Sequence, residues 1–131
     1  MREINILAHA LAGEFGSAQR VADEARIVIR RERLGRGVRG LYLPTRGRRL
    51  RAILLLSRDL DALQRDELLR LALGHHFLRH RALPWYQYLD GGRCTADERA
   101  GREAALFAAA FLEACQPLVH RGRAITAPLG R

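Results

Sequence analysis

Apolar residues recur along the chain with two different periods, and the change of period divides it into elements. Ile4, Leu7, Ala8 and Leu11 stand at helical spacing over residues 2–12. Gly13 and Gly16 interrupt that pattern. Ser17 is placed to cap a second helix, in which Val21, Ala25, Val28 and Ile29 share one face. Asp23 and Glu24 fall early in this segment and Arg30, Arg31 and Arg33 late, the order that the helix dipole favours, with Gly35 and Gly37 as its end. The pattern then shortens. Val38 to Leu43 reads as a strand, Pro44-Thr45-Arg46-Gly47 as a turn, and Leu50 to Leu56 as a second strand. So short a connection predicts an antiparallel hairpin. The unbroken run Ala52-Ile53-Leu54-Leu55-Leu56 predicts burial on both faces.

Helical spacing returns after Asp61, which with Gln64 forms a capping pair. The helix is expected to run to about His80. Leu68, Leu71, Ala72, His75 and Leu78 fall near one stripe facing the core. Gly74 inside it costs ~1 kcal/mol against alanine, which a close backbone neighbour would justify. Pro84 breaks the pattern, and Trp85, Tyr86 and Tyr88 follow within four residues. They read either as a cover for the core or as a partner-binding patch. Thr95-Ala96-Asp97-Glu98 is a capping box for a last helix whose face holds Glu103, Phe107, Ala110, Phe111 and Ala114. Pro117 is expected to stop it, leaving residues 118–131 as a basic C-terminal tail.

Composition adds bounds to this picture. A chain of 131 residues with 48% apolar content suits one globular domain, here residues 1–117. No apolar run approaches the ~20 residues that span a bilayer, and Met1-Arg2-Glu3-Ile4-Asn5 lacks the apolar stretch of a signal peptide. The expectation is a cytoplasmic protein with no membrane partner. Cys94 and Cys115 fit no disulfide framework and read as free thiols. The net charge is +9 and every basic residue is arginine, a bias typical of GC-rich coding. Ten arginines stand between Arg26 and Arg51 against one acid, Glu32. This region reads as a solvated face, or as a contact for nucleic acid through Arg30, Arg31, Arg33, Arg36, Arg48, Arg49 and Arg51. Tyr42 is its one aromatic residue, and no nucleic-acid motif accompanies it. No internal repeat, phosphate-cradling glycine loop or nucleophile elbow is present.

Three of the five histidines, His75, His76 and His80, lie on the third helix. Zinc hydrolases place two histidines four apart so that both imidazoles meet one ion, with a glutamate after the first as general base. His76 and His80 have that spacing, but Phe77 follows His76. His75 lies ~100° around the helix from His76 and points elsewhere.

The span 37–117 resembles the ImmA/IrrE family of metallo-endopeptidase domains. Gly37-Val38-Arg39-Gly40-Leu41-Tyr42 resembles its first strand, and Ala52-Ile53-Leu54-Leu55-Leu56 the strand before its active helix. Leu73-Gly74-His75-His76-Phe77-Leu78 is similar to the second half of its His-Glu-Leu-Gly-His helix. Glu103-Ala104-Ala105-Leu106-Phe107-Ala108-Ala109-Ala110-Phe111-Leu112 is similar to its Glu-Ala-Asn-x-Phe-Ala-Ala-x-Leu-Leu helix. The resemblance implies an α+β zincin-like fold: N-terminal helices, a small antiparallel sheet, a former active-site helix and a C-terminal helix.

The same resemblance puts Leu71 where the first zinc histidine would stand and Ala72 where the catalytic glutamate would stand. His75 keeps a ligand position. The third, acidic ligand would fall near Gly101, with Glu98 one turn before it and Glu103 two residues after. No catalytic residue and no cofactor are therefore expected. If zinc is bound, its candidates are His75, His76, His80, Glu98 and Glu103. The family acts on helix-turn-helix repressors in stress responses and mobile elements. This implies a degenerate, protein-binding regulator whose partner meets Trp85, Tyr86 and Tyr88 beside Leu71, Ala72 and His75. A zinc peptidase with non-standard ligands and a basic nucleic-acid-binding module are the alternatives.

Overall fold

Ile27, Val28 and Ile29 decide the first departure from the sequence pattern. The computed structural model describes residues 2–35, 37–45, 52–79, 87–89 and 98–129, with the side chains of 87–89, 98 and 117–129 excluded. In it the second helix ends early. Ser17 caps α2 (Ala18–Glu24) as expected, its side chain accepting from the Arg20 N–H. The chain then reverses at Arg26, which has a left-handed backbone (φ 61), and continues as a strand, β1 (Ile27–Glu32). Three β-branched residues in a row suit a pleated strand better than a helix. The six residues from Ile27 to Glu32 pair in parallel with Ala52 to Ser57 of β3 (Ala52–Ser57). That ladder outweighs a left-handed non-glycine residue, which costs ~1–2 kcal/mol. The helical reading of Val28 and Ile29 is thus corrected: Val28 is on the outer face and 40% exposed.

β2 (Gly40–Pro44) and β3 form the antiparallel pair that the turn residues predict. A three-residue strand, β4 (Gln87–Leu89), pairs antiparallel with β2 on its other side. The order is β1-β3-β2-β4, so the sheet is mixed, not the antiparallel sheet expected. The parallel pair arises because β2 is inserted between β1 and β3 in sequence but not in space. β3 is not covered equally on its two faces. Ala52, Leu54 and Leu56 are buried, whereas Ile53 and Leu55 are half-buried.

The helices lie against the Ala52-Leu54-Leu56 face. α3 (Ala62–Phe77) packs on β2, β3 and β4, and α4 (Glu98–Leu129) packs on α3 from the opposite side. α1 (Arg2–Phe15) rests on α4 through Ile4, Ala8 and Ala12, and α2 joins α1, α3 and β1. α3 therefore runs between the sheet and α4. Its burial is wider than one stripe, and from Leu68 to His75 only Arg70 is not fully buried. The protein is an α+β fold, and among the described residues no helix is long and apolar enough to cross a membrane.

α4 also differs from expectation at its far end, since it continues past Pro117 to Leu129. Proline removes one N–H, the one that would bond the Glu113 carbonyl, at ~3 kcal/mol. Turns on either side keep theirs. The basic tail expected over 118–131 is accordingly helical through Leu129.

Two glycines give opposite predictions for one substitution. A Cβ on Gly74 would stand 2.8 Å from the Ala104 Cα and 3.0 Å from its carbonyl oxygen, so α3 and α4 meet backbone to backbone there. Gly13 is exposed in α1, with nothing within 4 Å of its would-be Cβ. Gly74→Ala is expected to destabilise by at least ~1–3 kcal/mol through forced separation of the helices. Gly13→Ala is expected to stabilise by ~0.5–1 kcal/mol through helix propensity. Denaturant unfolding of the two variants checks both signs.

Candidate functional site

The chemistry-bearing residues of α3 are held by caps at both ends. Asp61 Oδ1 accepts from the Gln64 N–H (2.8 Å) and Gln64 Oε1 accepts from the Asp61 N–H (2.9 Å), the reciprocal box that the sequence suggests. At the other end the Leu78 N–H donates to the Gly74 carbonyl at 3.0 Å and the Arg79 N–H to His76 at 3.3 Å, with Arg79 left-handed at φ 58. With Gly74 locked on Ala104, the rotation of α3 about its axis is fixed.

That rotation buries Leu71, Ala72 and His75, with 4%, 0% and 3% of their surface exposed. Leu71 and Ala72 are members of the apolar core. His75 is the exception in this layer, a polar ring under a sheet residue. The Tyr42 ring lies 6.2 Å from it, nearly parallel at 20°. His76 is half-buried and turned differently, as its position on the helix requires. The Tyr42 hydroxyl and His76 Nδ1 are 2.7 Å apart. With the imidazole hydrogen on Nε2, the hydroxyl donates to Nδ1. With it on Nδ1, or in the imidazolium, the ring donates to the hydroxyl oxygen. The bond persists in each state with donor and acceptor exchanged. From His76 the ring contacts continue through Phe77 (5.1 Å, edge-on) to Phe107 (6.4 Å, 10°) and Phe111 (6.1 Å, 24°). A line of rings thus joins β2 to α4 through α3.

Of the metal candidates, the structure brings His75 and His76 to one end of α3 beside Tyr42. Glu103 lies on α4, half-buried, with Arg99 Nε at 3.6 Å from its carboxylate. Gly101, where the resemblance would put an acidic ligand, is buried. His80 and the Glu98 side chain lie outside the described residues. Among the described residues no three His, Cys, Asp or Glu side chains gather as a metal site would require. A zinc ion does not fit the described set, because Leu71 has no donor atom and Ala72 no carboxylate.

Trp85 and Tyr86, proposed for a partner, also lie outside the described residues. Tyr88 belongs to β4, where its backbone pairs with Leu41. Arg30 and Arg31 are exposed on β1 and Arg33 just beyond it, whereas Arg36, Arg48, Arg49 and Arg51 are outside the described residues. Tyr42 is the site residue that the sequence did not reveal. It stands 34 residues from His76, and no spacing rule links a strand tyrosine to a helix histidine.

A second polar group lies where α3 and α4 approach the turn between α1 and α2. Asp66 and Arg70 form an i,i+4 ion pair on α3. Cys115 of α4 donates from Sγ to the Gly16 carbonyl at 3.7 Å. Burial raises the Cys115 pKa above its ordinary value, Asp66 adds to the rise, and Arg70 opposes it.

No protein-family model, no curated protein and no solved structure matches this chain.

Two outcomes follow from this geometry. Tyr42→Phe removes the hydroxyl bond to His76 and should cost ~1 kcal/mol in unfolding free energy, without loss of cooperativity. Cys115 should remain a thiol at neutral pH, because burial disfavours the thiolate. Its iodoacetamide labelling, followed by mass spectrometry of the Cys115 peptide, should accelerate at higher pH than that of an unstructured cysteine peptide.

Proposed function

We propose that the chain is a catalytically degenerate counterpart of ImmA/IrrE-like metallo-endopeptidases: a protein-binding regulator on a zincin-like frame. Its partner class is the helix-turn-helix transcriptional regulator of a stress response or mobile element. The observation that carries this reading is the state of Leu71 and Ala72. In the register of the resemblance they occupy the places of a zinc histidine and a general base, and both are packed away from water. Loss of the base alone forfeits roughly 10²–10⁴ in rate, and here the first metal ligand is gone as well. The order β2, β3, α3, β4, α4 supports the frame, as does a buried His75 at the retained ligand position. A zinc peptidase built from other ligands is the competing reading. The Arg99 contact of Glu103 and the Tyr42 bond of His76 count against it.

Metal analysis tests the proposal. The purified protein should carry zinc far below stoichiometry, unchanged by His75→Ala. Stoichiometric zinc that disappears in His75→Ala would overturn it. The register is tested separately by combining Leu71→His with Ala72→Glu, which recreates His-Glu-Leu-Gly-His. A folded variant of this kind should take up zinc, and adding His75→Ala should abolish the uptake.

A further inference from the structure

The parallel strands β1 and β3 end side by side, and their exits enclose a cleft at the end of the sheet. β1 continues into Arg33-Leu34-Gly35 and β3 into Arg58-Asp59. Two hydrogen bonds tie the exits together. The Arg58 N–H donates to the Glu32 carbonyl at 3.1 Å, and Arg31 Nη2 donates to the Arg58 carbonyl at 2.9 Å. The Ser57 N–H donates to the Arg39 carbonyl at 2.9 Å, which brings the start of β2 to the same edge. The cleft has a volume of about 410 Å³ and is lined by Arg33, Leu34, Ser57, Arg58 and Asp59.

Its charge is net positive. Among the described residues no carboxylate pairs with the guanidinium of Arg33 or Arg58. Asp59 contributes one negative charge to the lining. Arg30, exposed on β1, has its Nε 3.6 Å from Glu32, and Arg31 is also exposed. Ser57 Oγ accepts from the Asp59 N–H at 3.3 Å, so its own hydroxyl hydrogen points elsewhere. The lining therefore combines two guanidinium forks with a hydroxyl and one carboxylate.

We propose that this cleft binds a phosphodiester group of a nucleic-acid strand. A guanidinium matches two phosphate oxygens at once and is less strongly hydrated than an ammonium, so paired arginines favour phosphate. The carboxyl ends of parallel strands are where open sheets commonly receive ligands. Leu34 is the one apolar lining residue and no aromatic joins it. Bases gain no stacking partner from this lining, and the strand is held through its backbone without sequence preference. The proposal uses none of the residues at the His75 end of α3 and does not depend on the regulator reading.

Anisotropy of a fluorescein-labelled oligothymidylate of about 12 nucleotides, titrated with full-length protein across a salt series, tests it. Binding should weaken linearly in log K against log salt. Arg33→Glu with Arg58→Glu should lower that slope by roughly 0.7, the contribution of the one phosphate the pair holds on a single strand. The neutral pair Arg33→Gln with Arg58→Gln should move it in the same direction, which guards against a folding defect in the charge reversal. Arg2→Glu with Arg20→Glu, on α1 and α2, should leave the slope unchanged. An equal loss in that control pair overturns the cleft assignment, as does equal affinity for polyglutamate. Absence of binding at low salt, or binding of inorganic phosphate without the oligonucleotide, overturns the strand.

Discussion

The contact of Gly74 with Ala104 sets the geometry on which the rest of the molecule depends. A Cβ on Gly74 would come within 2.8 Å of the α4 backbone, so the two helices touch where neither has a side chain of any length. Ala104, Phe107, Ala108 and Phe111 then fill the seam on one side of α3, while Leu54, Leu56 and Tyr42 meet the core from the sheet. A helix gripped from both sides cannot turn to re-expose a face. Each residue of its second half has an assigned neighbour, and the chemical character of the region follows from those assignments.

The described histidines of α3 take part in the packing between the sheet and α4. Leu71 and Ala72 complete the apolar layer. His76 is engaged by the Tyr42 hydroxyl and by Phe77, so its imidazole links the sheet to the line of rings that ends at Phe111. His75 remains the polar exception in the buried layer. The concentration of charge lies elsewhere, where β1 and β3 leave the sheet, and it is supplied by backbone pairing that brings Arg33 beside Arg58.

Local signals in the sequence match the structure where short-range physics sets the outcome. Ser17, Asp61 and Gln64 cap helices because a side-chain oxygen meets a donor three residues away, whatever lies beyond. β2 and β3 pair antiparallel as their short separation in sequence suggests, and the apolar face of α4 follows from its period. Structure departs from local pattern where a long-range partner outweighs it. Val28 and Ile29 fit a helical face, yet pairing with Ile53 and Leu54 drew them into a strand. The antiparallel sheet expected on that basis became a mixed one.

The sequence by itself determined the capped helices, the strand runs at 38–43 and 52–56, the strongly basic charge and the absence of a donor atom at Leu71 and Ala72. These are properties of residue type and short spacing, and folding does not change them. Tertiary structure alone decided the parallel pairing of β1, the bond between Tyr42 and His76, the buried setting of His75 and the meeting of Arg33 with Arg58. Each joins residues remote in sequence, and their approach is fixed by how the sheet, α3 and α4 close on one another around Gly74.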